Sequence, residues 1–171
     1  TIRMVGTLSE ITLRKQAEEE IKYLSFHDKL TGLYNRAFFE EEISRMDTQR
    51  QLPLSIIIGD VNGLKLTNDI FGHLEGDKLL IEISRILMES CRKEDIVARW
   101  GGDEFAIILP RTTEDKAEEI CERIRDGCQR VQVDFIQMSI ALGVATKYQK
   151  QVSIHEIIKD AENQMYRNKL E

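Results

Sequence analysis

The residues of this chain best suited to chemistry are carboxylates standing where apolar segments stop. Asp60 follows Ile56-Ile57-Ile58-Gly59. A carboxylate at the end of a buried run is costly to bury unless a cation or hydrogen-bonding partner meets it. The bland alternative is a surface turn after a strand. Gly101-Gly102-Asp103-Glu104 sets two adjacent carboxylates on a glycine turn, where the missing Cβ atoms let a ligand approach the backbone closely. Adjacent like charges repel, and such a pair often serves a divalent metal; a solvated hairpin tip has the same composition. If the strand ending at Asp60 lies beside the strands flanking this turn, Asp60, Asp103 and Glu104 converge from neighbouring strand ends. An all-oxygen set of this kind suits Mg²⁺. Two metals in one cleft can activate an attacking hydroxyl and stabilise a leaving phosphate.

Beside these lies a segment fit to hold a phosphorylated ligand. Val61-Asn62-Gly63-Leu64-Lys65 falls between a strand and a helix start. Backbone N–H groups there point at an anion, and Lys65 adds a positive charge. The stretch from Asn68 to Asp77, with His73 and two glycines, mixes amide, imidazole and carboxylate. An Asp accepts two hydrogen bonds from the N1–H and N2–H₂ edge of guanine, and an Asn can complete such a pocket. A helix-start role for His73 is the alternative.

The elements that must position these residues are legible from periodicity. Leu54 to Ile58 is a short β-branched run, a buried strand ending near Asp60. A helix is expected from about Arg36 to Asp47, a short one from Leu64, and a longer one carrying Leu79, Leu80, Ile83, Ile86 and Leu87 on one face. Residues 96–100 and 104–109 read as two strands of a hairpin closed by the glycine turn. Thr112 or Thr113 is expected to cap a helix with Ala117, Ile120, Cys121, Ile124 and Cys128 inward. Residues 137–146 form a further strand, and Ser153 opens a last helix burying Ile154, Ile157, Ile158, Ala161 and Met165. Strands and helices together give a compact α/β domain over residues 27–171. Residues 1–26 differ: Ile2 to Gly6 is strand-like, and the charged stretch after it is helical. Ala17, Ile21 and Leu24 have the 4-then-3 spacing of a helix seam, which Glu10 and Arg14 do not extend backward.

Composition bounds what the chain can be. Its 171 residues make one domain with a short extra segment, and 42% hydrophobic residues supply a full core. A net charge of −6 argues against a protein that coats nucleic acid, but not against a nucleotide held through metal ions. Cys91, Cys121 and Cys128 form no C-x-x-C pair and are odd in number, so packing residues in a reducing, cytoplasmic setting are expected. No apolar run is long enough to span a bilayer, and no signal peptide opens the chain. The start reads as a cut from a longer protein, which could itself be tethered to a membrane.

Four blocks, in order and at matching spacing, resemble the GGDEF domains, the diguanylate cyclases of bacterial signalling. They are Asp28-Lys29-Leu30-Thr31-Gly32-Leu33-Tyr34-Asn35-Arg36; Asp60 to Asp77; Arg99-Trp100-Gly101-Gly102-Asp103-Glu104-Phe105; and Asp160 with Met165-Tyr166-Arg167-Asn168-Lys169. The resemblance implies an α/β (α+β) sandwich with a central, mostly antiparallel five-stranded sheet flanked by helices, akin to nucleotidyl cyclases and polymerase palms. It implies that Asp60, the Val61 carbonyl and Asp103 hold Mg²⁺ (or Mn²⁺), with Glu104 assisting metal binding or proton removal. Gly63, Leu64, Lys65, Gly101, Gly102 and Lys169 would line the GTP phosphates. Asn68 and Asp77 would read guanine, with His73 supporting the pocket. Two subunits of a homodimer would each hold one GTP and condense them into cyclic di-GMP, releasing pyrophosphate. A non-catalytic module that binds GTP or cyclic di-GMP, or a purely structural dimerisation domain, are the competing classes.

The resemblance also implies a second site. Arg92-Lys93-Glu94-Asp95 matches the family's R-x-x-D inhibitory motif, and Arg123 matches a further arginine of that site, so cyclic di-GMP is expected to bind there and restrain the enzyme. A charged surface loop is the alternative. Gly6 to Glu18 looks like the last strand and exit helix of an upstream PAS sensor. Three features depart from the family pattern: Asn62 where Asp is common, Trp100 at a position usually Tyr, Leu or Ile, and the absence of an Arg that often follows the Lys169 motif. Leu170-Glu171 could be native or a cloning remnant.

Overall fold

The computed structural model describes the backbone of residues 2–170 and the side chains of residues 7–169. A five-stranded sheet runs in the order β1 (Tyr34–Asn35), β3 (Ile96–Arg99), β4 (Glu104–Leu109), β2 (Leu54–Val61), β7 (Ile140–Lys147). Among the described strands only β1 pairs parallel, with β3, and every other pairing is antiparallel. Helices α4 (His73–Ser90) and α5 (Glu114–Arg130) cover one face, and α2 (Arg36–Met46) and α6 (Ile154–Leu170) cover the other. A short helix α3 (Leu64–Phe71) links β2 to α4, and β5 (Gln132–Val133) pairs with β6 (Ile136–Gln137) as a separate ribbon. The mixed sandwich expected from the sequence is present.

Central strands covered on both faces explain why the head of β2 is buried throughout and apolar except at Ser55, whose hydroxyl is hydrogen-bonded. Alternation then decides which side each residue serves. Ile57, Phe105, Ile107, Leu142 and Val144 pack with α4 and α5. Leu54, Ile56, Ile58, Ala106, Ile108 and Ala141 pack with α2 and α6. The even positions of β2 and β4 therefore face α6, and Asp60 and Glu104 are the next even positions outward. Where α6 crosses β7 the backbones nearly touch: a Cβ added at Gly143 would lie 2.1 Å from the Ala161 carbonyl oxygen.

The chain differs from its sequence reading in three places. Ile2 to Phe26 is one continuous helix, α1, of 25 residues, so neither the strand at 2–6 nor a PAS-type last strand within Gly6–Glu18 is found. A strand needs a neighbour for its hydrogen bonds, and no described strand lies beside this segment. The strand foreseen over 137–146 is two elements, β6 and β7, separated at Met138-Ser139. The threonine cap of α5 makes no side-chain hydrogen bond at Thr113; Glu114 N–H donates instead to Tyr148 Oη at 3.1 Å. The glycines of the 101–102 turn do not have positive φ, unlike Gly32, Gly63 and Gly72, so it is clearance that they provide. No described helix is long and apolar enough to cross a membrane. All three cysteines are free, and burial pushes the Cys91 and Cys121 thiols up to about 12 and Cys128 to about 11, which suits packing rather than reactivity.

Candidate active site

Asp60 and Glu104 sit directly opposite each other in the β2–β4 ladder, on the face turned to α6. Cross-strand neighbours on one face have Cβ atoms roughly 5 Å apart. Val61 N–H donates to the Asp103 carbonyl at 2.9 Å, which ties the strand end to the glycine turn. The convergence of the two acidic stretches is thus built into strand register. Asp60 is 5% exposed, and its one cationic partner among the described residues is Lys169, whose Nζ lies 2.7 Å from Oδ1. Lys169 comes from the last turn of α6, the helix that Gly143 lets settle on β7.

The crowding of acids shows in the titration of Glu104. Burial first, then the charges of Asp60, Asp103 and Glu162, push its carboxyl above the ordinary value, against which Lys169 pulls only partly. A buried carboxylate facing another, with one lysine ammonium as the cation among the described residues, is a donor set short of positive charge. Its all-oxygen chemistry fits Mg²⁺. No three acidic, histidine or cysteine side chains close on one point among the described residues.

The glycines clear space around this set. A Cβ at Gly101 would lie 2.9 Å from Glu104 Oε2, whereas one at Gly102 would meet nothing within 4 Å. Gly101 therefore makes room for the Glu104 carboxylate, and Gly102 leaves an open backbone surface. Arg99 fixes the turn: its Nε donates to the Gly101 carbonyl at 3.1 Å and its Nη2 to the Gly102 carbonyl at 2.7 Å. Its Nη1 lies 3.2 Å from both oxygens of Asp28, which also accepts from Thr31 N–H and Oγ1. Burial alone would raise the Asp28 carboxyl, but the Thr31 hydrogen bonds and the Arg99 guanidinium outweigh it and hold the carboxyl below its ordinary value. Sequence reasoning quoted Asp28 and Arg99 inside motifs and gave neither a role. The Asp-x-x-Thr pattern is the local signal that could have marked the first.

Gly63, left-handed at φ 74°, precedes α3 and offers no side-chain cap, so the first N–H groups of α3 lack a side-chain acceptor. Leu64 is half-buried; Lys65 is exposed and makes no ion pair among the described residues. The Asn68 amide lies against Gly76 across the α3–α4 corner, and half-buried Asp77 follows Gly76 in α4. His73 is exposed at the first position of α4. Asn62 is drawn away from the acids: its N–H donates to the Ser139 carbonyl and its Nδ2 to Ser139 Oγ, both at 3.1 Å.

The second set gathers at the other end of β3. Arg92 and Arg123 line one groove of about 310 Å³ between the ends of α4 and α5. Asp95 is buried and accepts from Arg92 N–H at 2.6 Å, so the motif's internal bond runs to the backbone and leaves the Arg92 guanidinium exposed. Burial raises the Asp95 carboxyl more than that bond lowers it. Arg123 donates through Nε and Nη2 to the Ser90 carbonyl at 3.2 and 2.6 Å.

With this geometry in place, the likenesses to known proteins can be set beside it. Diguanylate cyclase DgcM of Escherichia coli K12 is 34% identical over 171 residues, spanning 97% of this chain and 41% of that protein. Diguanylate cyclase DosC of the same organism is 34% identical over 155 residues, spanning 84% of this chain and 34% of its own length. The chain thus spans less than half of these relatives. The GGDEF domain of TpbB (YfiN) from Pseudomonas aeruginosa superposes with a TM-score of 0.76 at 33% identity, covering 84% of this chain and 88% of that one. The coiled coil and GGDEF domain of DgcB from Caulobacter crescentus, solved with c-di-GMP, gives 0.86 at 22% identity, covering 98% and 93%, and speaks for the fold alone. Residues 25–171 match the family described as "Diguanylate cyclase, GGDEF domain", and this chain belongs to that family.

Proposed function

We propose that this domain condenses two GTP molecules into cyclic di-GMP, with the acids at the β2 and β4 strand ends as its metal-binding centre. The observation that carries the reading is the cross-strand pairing of buried Asp60 with half-buried Glu104, an acidic pair met by a single lysine ammonium among the described residues. In the reaction the 3′-hydroxyl of each GTP attacks the α-phosphate of the other. Two phosphodiester bonds form as two α–β phosphoanhydride bonds break, two pyrophosphates leave, and each hydroxyl would pass its proton to the Glu104 carboxylate or to water. Bound Mg²⁺, or Mn²⁺ in its place, would neutralise the phosphates and lower the pKa of the attacking hydroxyl. Asp60, the Val61 carbonyl, Asp103 and Glu104 would hold it. Lys65 and the N–H groups after Gly63 and Leu64 would hold the phosphates, and Gly101 and Gly102 would leave them room. Asn68 and Asp77 would read the base, with His73 at the rim. The rest is positioning, and the Asp28–Arg99 clamp on the turn carbonyls is suited to it.

One copy holds half of what the reaction needs, so the active form in this reading is a homodimer. Every residue of α1 from Thr7 to Ser25 is exposed, including Leu13 at 62%, Ile21 at 67% and Leu24 at 46%. A helix presenting such side chains is suited to pairing with a second copy and to relaying a signal from an upstream sensor, for which PAS remains our reading. The groove holding Arg92 and Arg123 would take the product: guanidinium groups suit phosphate and the guanine Hoogsteen edge.

Incubation of the chain with GTP and Mg²⁺, followed by chromatography for cyclic di-GMP and pyrophosphate, tests the reading. A form dimerised through a fused coiled coil at the α1 end removes poor pairing as a cause of silence. Glu104→Gln should abolish product while raising Tm in metal-free buffer, because it removes a repelling charge. GTP bound without turnover by the dimerised form would instead leave a binding module.

A further inference from the structure

Asn68 and Gly76 meet across the corner between α3 and α4 in a way that neither residue's stability explains. A Cβ built at Gly76 would lie 1.9 Å from Asn68 Oδ1, 2.9 Å from its Cγ and 3.2 Å from Leu64 Cδ1. Gly76 is buried inside α4 and is not among the residues with positive φ. Glycine in a helix interior is unfavourable relative to alanine, so backbone freedom is not what this position uses. Asn68 Oδ1, for its part, is shut away from water with no hydrogen-bond donor. An enclosed amide oxygen without a donor costs stability. Each oddity accounts for the other if the amide is held in one orientation for a ligand.

We propose that Gly76 is a specificity-determining positioning residue: its missing side chain is the notch that seats the Asn68 amide, and through Asn68 it sets the preference for guanine. This deepens the base-reading assignment of Asn68 and Asp77 and rests on it. The closest atoms to the absent methyl belong to the far end of a rotatable side chain. A methyl group at position 76 is therefore accommodated by turning the Asn68 amide rather than by parting α3 from α4. Recognition is lost while the fold is kept. Asp77, the next residue along α4, stays where it was and cannot by itself complete the base edge.

Binding of fluorescent GTP and ATP analogues to the whole chain in Mg²⁺, with a thermal melt for each variant, tests this. Gly76→Ala should weaken GTP at least about tenfold and leave ATP unchanged, so that the preference narrows while Tm stays near wild type. The double variant Asn68→Ala/Gly76→Ala should bind GTP like Asn68→Ala alone, because the notch has nothing left to seat. Wild-type GTP binding by Gly76→Ala, or losses that simply add in the double variant, overturns the proposal. If Gly76→Ala does not fold, the double variant should fold again; its failure to do so also overturns it. Undiminished GTP binding by both Asn68→Ala and Asp77→Ala refutes the base-reading assignment itself, and shows in proteins whose Gly76 is intact.

Discussion

Asp28 and Arg99 show how far the glycine turn depends on side chains outside it. The Asp28 carboxyl is held below its ordinary value of 3.8, so the folded protein binds its proton less tightly than the unfolded chain. Stability from this source is complete above that value and drains away as pH falls through the lower, folded one. Asp28→Ala should cost about 1.5–3 kcal/mol at neutral pH, the range for hydrogen bonds to charged groups. Melts in a pH series should show the gap to wild type narrowing below pH 3.8. A gap that stays constant with pH would show that the contact with Arg99 and Thr31 carries no charge-dependent energy. At this scale the sequence reports residue types well. Asp60, Asp103 and Glu104 announce themselves because carboxylates beside apolar runs are costly. The Lys169 contact with Asp60 is invisible there, since 109 residues separate the pair and only the packing of α6 joins them.

The elements α6 and β7 carry that packing, and Gly143 is its weak point. A methyl group there would meet the Ala161 carbonyl and the Met165 nitrogen, both backbone atoms that no rotamer change can move. Gly143→Ala should therefore destabilise the domain by about 3 kcal/mol or more. It should also displace Lys169 from Asp60, measurable as a denaturation midpoint shift together with altered metal affinity. A melt within a degree of wild type would contradict the close approach. Periodicity made α4, α5 and α6 legible down to their inward residues, because each buries one face against a sheet. It failed at the two ends of its reach. At 2–6 a short apolar run suits strand or helix equally, and the absence of a strand neighbour decides for helix. Around Met138 the alternation passes unbroken through a point where the backbone leaves one pairing for another.

The whole molecule is arranged as a sheet with two clusters of charged residues at opposite ends of β3, the acids at one and the arginine groove at the other. Four residues of strand are about 13 Å, close enough for a ligand in the groove to bear on the orientation of the turn. Arg92→Ala should leave initial rates near wild type and abolish the fall in rate caused by added cyclic di-GMP; unchanged inhibition would remove the groove from the account. The family and fold follow from motif order and periodicity, whereas α1 leaves Leu13, Ile21 and Leu24 exposed and, among the described residues, buries no face against the sheet. All of this depends on a divalent cation held by the ends of β2 and β4. The most direct test is a crystal structure with Mn²⁺ and a GTP analogue that cannot react at its α-phosphate. Anomalous scattering should place Mn²⁺ about 2.0–2.2 Å from an Asp60 oxygen, within reach of Asp103 or Glu104, with Lys169 moved off Asp60 toward phosphate. A metal and triphosphate bound elsewhere, with Lys169 still on Asp60, would contradict the account.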